Sequence, residues 1–271
     1  MSTLTRNGIE PVDPIVQAGT LSGTQSIQRA FSLLREIASR NRAGARLSEL
    51  AAATGLRRST THRIAQSLVA ERMVMQDADT RRYFLGPMAY ELGLAAAPRF
   101  DLRERCQEAL SRIAEKTGDT VFLTARSGFD AVCIDRREGN FPIKAFTLEV
   151  GGRRPLGVGG GSLAILSGLP DEEMRLLVEH NGARLAEWDG LTPASLIAQA
   201  RRAQKLGYVV RDIHTVAGIR TIAMAIRNGA GVPFAAISVS AITSRMPERR
   251  QHELAAMLKE EIRDVERRLA S

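Results

Sequence analysis

LSELAAATGLRRSTTHRIAQSL, residues 47–68, reads as two short helices packed across a tight turn. Ser48 is placed to cap the first helix, and Leu50 and Ala51 face inward, Ala51 being small enough for a second helix to cross close by. Gly55 supplies the left-handed residue that ends that helix, and Leu56 plugs the turn. The second helix is expected from near Ser59, with Thr61, Ile64, Ala65, Leu68 and Val69 on one buried face. Its other face carries Ser59, Thr60, Arg63, Gln66 and Ser67, with His62 at the margin. These side chains offer hydrogen bonds, and no carboxylate among them would repel phosphate.

Taken alone, the pattern also suits an ordinary αα-hairpin with a solvated polar face. The flanking sequence favours DNA binding. Upstream, Ser26 precedes Ile27, Ala30, Phe31, Leu34 and Ile37, spaced as an amphipathic helix that packs behind the pair. Downstream, residues 73–76 and 82–85 flank the turn-forming Asp77-Ala78-Asp79-Thr80, a β-hairpin wing with Arg81 and Arg82 at its tip or on its return strand. Helix, helix-turn-helix and wing in that order make a winged helix.

Charge agrees with this reading. The 271-residue chain carries a formal net charge of +8, and between residues 24 and 90 arginines outnumber carboxylates eleven to five. The length suffices for two domains with proper cores. Cys106 and Cys133 lie far apart on core-facing positions without metal-ligand spacing, which suits a reducing, cytoplasmic setting. The N-terminus has no apolar signal core, and no apolar run approaches the ~18 residues of a membrane helix.

Residues 1–23 are polar and broken by glycines and prolines, and a mobile tail is expected there. A winged helix is expected over 24–85, a linker helix beginning at Pro87 over 86–101, and a second domain over 102–271. That domain opens with an amphipathic helix burying Leu102, Cys106, Ala109, Leu110 and Ile113. Strands are expected at 120–125, 131–135, 143–150, 208–211, 222–227 and 234–240. Helices are expected at 162–167, 171–179 (capped by Asp171), 193–206 (capped by Thr192) and 247–269. Hairpin-linked strands and helices together give an α+β fold, an antiparallel sheet flanked by helices rather than a Rossmann fold.

The loop Gly157-Val158-Gly159-Gly160-Gly161-Ser162 before a helix reads either as a small-molecule contact, its amides open to an anion, or as a connector. It does not match GxGxxG, since Ser162 replaces the last glycine, and no Walker lysine follows. His180, His214 and His252 are scattered, and Ser162 lacks the flanks of a nucleophile elbow. No catalytic residue, metal site or cofactor is therefore expected, and the chain is not read as an enzyme.

These residues together resemble the IclR-type bacterial transcriptional regulators. The resemblance rests on Ser26-Ile27-Gln28-Arg29-Ala30, on Leu47-Ser48-Glu49-Leu50-Ala51 with Gly55-Leu56 and residues 59–63, and on Tyr83-Phe84-Leu85-Gly86. It continues through Arg154-Pro155-Leu156, Gly207-Tyr208, Gly218-Ile219-Arg220 and residues 235–240. It implies a winged helix joined by a linker helix to a GAF-like effector-binding domain, in homodimers that often pair into homotetramers. Such proteins bind double-stranded promoter DNA, often of catabolic operons, under control of a small organic or aromatic acid. Carried over, Arg58, Ser59, Thr60, His62 and Arg63 would read the major groove, with Arg81 and Arg82 on the flanking backbone. The effector contacts would be Gly160, Gly161, Arg211, Thr221, Ser238 and Ser240. Many relatives have an acidic residue and a cysteine where this chain has Arg211 and Thr221, and Arg211 is expected to pair with an effector carboxylate.

Overall fold

A computed structural model describes residues 24–188, 190–213 and 217–270. The expected tail over residues 1–23 and His214 lie outside the described residues. The chain divides between Phe100 and Asp101 into two compact units.

In the first unit, α1 (Gln25–Ser39), α2 (Leu47–Thr54) and α3 (Arg58–Ala70) precede a hairpin of β1 (Val74–Gln76) and β2 (Tyr83–Leu85), and α4 (Pro87–Ala96) follows. Leu33, Ile37, Ala45, Leu50, Ala65, Val74 and Tyr83 form its buried core. Ala45 exchanges backbone hydrogen bonds with Tyr83 in both directions, at 3.0 and 2.8 Å, so the segment before α2 acts as a third strand of the wing. Gly55 ends α2 at φ +66°, the left-handed conformation expected of it.

Two local expectations are corrected. Ser48 does not cap α2: the helix already includes Leu47, and the carboxylate of Glu49 reaches back to accept the Arg46 N–H at 2.8 Å. That hydrogen bond, aided by the charges of Arg82 and Arg46, holds the Glu49 carboxyl below its ordinary pKa. On α1, the packing stripe is centred on Leu33 and Ile37, whereas Ile27 and Phe31 are more than half exposed. Alpha-helical periodicity gave the right helix but a stripe rotated about its axis.

In the second unit, α5 (Leu102–Thr117) leads into β3 (Thr120–Ser127), β4 (Asp130–Glu138) and β5 (Arg153–Pro155). Then come α6 (Gly160–Ser167), α7 (Asp171–His180), α8 (Gly182–Leu185) and α9 (Pro193–Leu206). The chain closes with β6 (Val209–Ile213), β7 (Ile219–Arg227), β8 (Pro233–Ile242) and α10 (Glu248–Ala270). The described strands pair antiparallel in the order β5-β4-β3-β8-β7-β6. Alternation divides the sheet: Val121, Leu123, Ile222, Ile237 and Val239 join a core with Leu110 and Ile113 of α5 and Leu258 and Ile262 of α10. The opposite face carries α6 and is rich in hydroxyls.

Two expectations differ here as well, and a third holds. Residues 143–150 form no strand; the Ala145 N–H donates to the Thr120 hydroxyl at 3.2 Å instead of joining a ladder, while Ile143, Phe146 and Val150 stay exposed. The β-forming side chains there find no partner strand, and the segment that pairs with β4 comes later, as β5. Asp171 is the first residue of α7 rather than its cap, a place where a carboxylate still complements the helix dipole. Thr192 does cap α9, its hydroxyl accepting from the Ser195 N–H at 3.1 Å.

Candidate functional site

The first unit presents a basic helix face. Core packing of Thr61 and Ala65 fixes the rotation of α3, which turns Arg58, Ser59, His62, Arg63, Gln66 and Ser67 to solvent and leaves Thr60 half-buried. Arg57 is exposed beside them. Arg57, Arg58 and Arg63 form no ion pair among the described residues, so their guanidinium donors remain uncommitted.

The two wing arginines differ sharply. Arg81 is exposed, sits at φ +57° and closes the turn by donating its N–H to the Asp77 carbonyl at 3.0 Å. Asp77 in turn accepts from the Thr80 N–H at 2.7 Å and the Thr80 hydroxyl at 2.5 Å, which lowers its pKa. Arg82 folds back: it donates to the Gly44 carbonyl at 2.8 Å and lies 3.9 Å from the Glu49 carboxylate. It therefore fastens the wing to the start of α2.

The second unit holds a small cavity between the hydroxyl-bearing sheet face and the start of α6. Gly160, Gly161, Thr221, Ser238 and Ser240 of the expected effector set line it together. Arg211 is not part of that lining; it is buried and donates to the Gly157 carbonyl at 2.7 Å. The Gly157 N–H donates to the Ser162 hydroxyl at 2.6 Å, so the loop peptide is held from both sides. The lining also includes Phe122, Thr124, Leu148 and Arg154, which the sequence reading missed. The alternation of β3 was a usable signal for Phe122 and Thr124. The basic residue of the lining is Arg154 on β5, a strand the pattern did not reveal. Its guanidinium lies over the Trp188 ring, 4.9 Å from the centroid, and donates to the Thr147 carbonyl.

The glycines of α6 have a packing reason. A Cβ on Gly160 would lie 2.4 Å from the Thr221 Cγ2, and one on Gly161 would lie 2.9 Å from the Thr124 Oγ1. Helix and sheet thus meet almost backbone to side chain. On the floor, the Thr221 and Ser240 hydroxyls share a hydrogen bond at 2.7 Å. Burial drives the thiols of Cys106 and Cys133 up to about 12, leaving both protonated.

Comparison with known proteins gives two family matches. A model of the IclR helix-turn-helix domain matches residues 26–78, and one of the bacterial transcriptional regulator IclR C-terminal region matches residues 94–267. The acetate operon repressor of Salmonella typhimurium is 30% identical, over 89% of this chain and 88% of its own. The crystal structure of Thermotoga maritima IclR superimposes with a TM-score of 0.62 at 25% identity, covering 91% of this chain and 99% of its own. An IclR homolog from Microbacterium hydrocarbonoxydans, crystallised with 4-hydroxybenzoate, gives a TM-score of 0.68 at 20% identity, covering 90% and 98%.

Proposed function

The chain belongs to the IclR family of bacterial transcriptional regulators, which are not enzymes, and from that premise we propose that it is an effector-responsive, sequence-specific regulator of a catabolic operon. The observation that carries the DNA-binding part is the set of uncommitted guanidiniums on the exposed face of α3. Arg58, Ser59, Thr60, His62 and Arg63 enter the major groove, where arginine pairs with guanine and the hydroxyls with either base edges or phosphates. Arg81 contacts the flanking phosphates, while Arg82 acts by holding the wing in place.

The protein works as a homodimer, or a homotetramer built from dimers. In the first unit Ile27 and Phe31 of α1 and Tyr90, Leu92 and Leu94 of α4 are each more than half exposed, apolar surface that a second copy would cover. A two-fold dimer then sets half-sites about 34 Å apart, or a multiple of that. The cavity below α6 receives a small organic or aromatic acid, whose binding alters the spacing or orientation of the paired winged helices. A relative crystallised with 4-hydroxybenzoate supports an acid as effector, and one named for an acetate operon supports a catabolic target. No helix among the described residues is long and apolar enough to cross a membrane.

The test is binding of the protein to DNA from its own upstream intergenic region and to unrelated DNA across a salt series. Selective binding that weakens steeply with salt is expected. Equal weak binding to both DNAs, persisting with candidate promoters and acid mixtures, would contradict the proposal.

A further inference from the structure

Resting on the reading of α3 as the element that enters the major groove, we infer that Gln66 is a further base-reading residue, its amide pairing with an adenine one or two base pairs from the base that Arg63 reads.

The rotation of α3 is fixed, because Thr61 and Ala65 are fully buried one turn apart on its inner side. At about 100° per residue, Arg63 stands opposite that pair, and Ser59, Arg63 and Gln66 fall within an arc of about 60° facing away from the core. All three are exposed. Thr60, which is half-buried, and His62 stand on opposite flanks of the arc. The middle of an outward stripe reaches deepest into a groove, and Gln66 extends that stripe by a turn beyond Arg63.

Availability separates Gln66 from its neighbour. Ser67 is also exposed, but its hydroxyl donates to the Arg63 carbonyl at 3.1 Å, within its own helix. The Gln66 amide has no hydrogen-bond partner among the described residues, so its oxygen and both of its N–H donors are open to a ligand. Being neutral, that amide displaces no counterion from DNA. Its contribution is therefore to specificity rather than to general affinity.

The chemistry names the base. A side-chain amide offers a donor and an acceptor side by side, which matches N7 and the N6 amine of adenine in the major groove. Guanine presents two acceptors there and suits the Arg63 guanidinium. Gln66 lies three residues beyond Arg63, about 4.5 Å along the helix, against about 3.4 Å between stacked bases. Each half-site should thus hold a guanine and an adenine one or two base pairs apart.

The experiment selects binding sites for the full-length protein from a randomised double-stranded DNA library and repeats the selection with Gln66→Ala, Gln66→Glu and Arg63→Ala. Circular dichroism melts establish that each variant is folded. The unmodified protein is expected to enrich a guanine and an adenine at that spacing. Gln66→Ala should lose the preference at the adenine position alone and bind the selected site about tenfold or more weaker, with affinity and salt slope on unrelated DNA unchanged. Gln66→Glu should move that position toward cytosine, whose N4 amine donates to a carboxylate. Arg63→Ala should lose the guanine instead. A Gln66→Ala selection matching that of the unmodified protein would overturn the assignment while leaving α3 as the reading helix. Equal weakening on all DNA would make Gln66 a phosphate contact and overturn it as well. Failure of the unmodified protein to enrich any sequence would overturn both the assignment and the reading of α3 beneath it.

Discussion

Gly160 sits so close to Thr221 that a methyl group added to the glycine would lie 2.4 Å from the threonine Cγ2. The contact fixes the height of α6 above the sheet, and with it the depth of the cavity. Gly160→Ala should therefore destabilise the protein by about 1–3 kcal/mol, the usual cost of overpacking. Thr221→Ser removes the obstructing methyl and should recover part of that loss in the double variant, a coupling read from urea melts. Additive effects would show that the two residues do not meet.

The wing arginines should separate stability from binding. Arg82→Ala removes the hydrogen bond to Gly44 and the approach to Glu49, and should cost about 1–2 kcal/mol of stability. Arg81→Ala should leave stability within about 0.5 kcal/mol yet weaken binding to all DNA sequences and lower the salt slope by about one. Parallel melts and anisotropy titrations check both.

Most of the first unit was legible because its signals are local. Gly55 as a left-handed terminator, Thr61 and Ala65 as an inward face and the 77–80 turn each follow from neighbours in sequence. What escaped depended on distant partners. Nothing near Arg82 announces that its guanidinium finds Gly44, 38 residues away. Likewise the apolar run over 143–150 looked like a strand, but the segment that pairs with β4 is residues 153–155. Of the cavity, Thr221, Ser238 and Ser240 followed from the family resemblance, whereas Arg154 and the clamp from Arg211 to Gly157 arise only when the sheet is assembled.

The wing turn should respond to acid. Asp77 has an ordinary value of 3.8 and is held below it chiefly by the Thr80 hydroxyl and amide. Its contribution is complete above that ordinary value and is lost as pH falls through the lowered one. The Thr80 amide resonance should thus keep its bonded shift down to the normal aspartate range and move only beneath it. Movement with an unshifted midpoint would contradict the hydrogen bonds.

Both cysteines should be inert in the folded protein. Burial places their thiols near 12, so the reactive thiolate is scarce at pH 8. An Ellman titration should find neither thiol reactive under native conditions and both upon unfolding. Rapid native labelling would mean that α5 or β4 opens readily.

The central claim is that α3 reads DNA sequence with its exposed arginines, and Arg63→Ala tests it most directly. Anisotropy titrations would compare this variant with the unmodified protein on DNA from the chain's own upstream region and on unrelated DNA. The account predicts a loss of about 1–3 kcal/mol on the specific site, with a much smaller change on unrelated DNA. Unchanged affinity for the specific site, in a variant that melts normally, would contradict it.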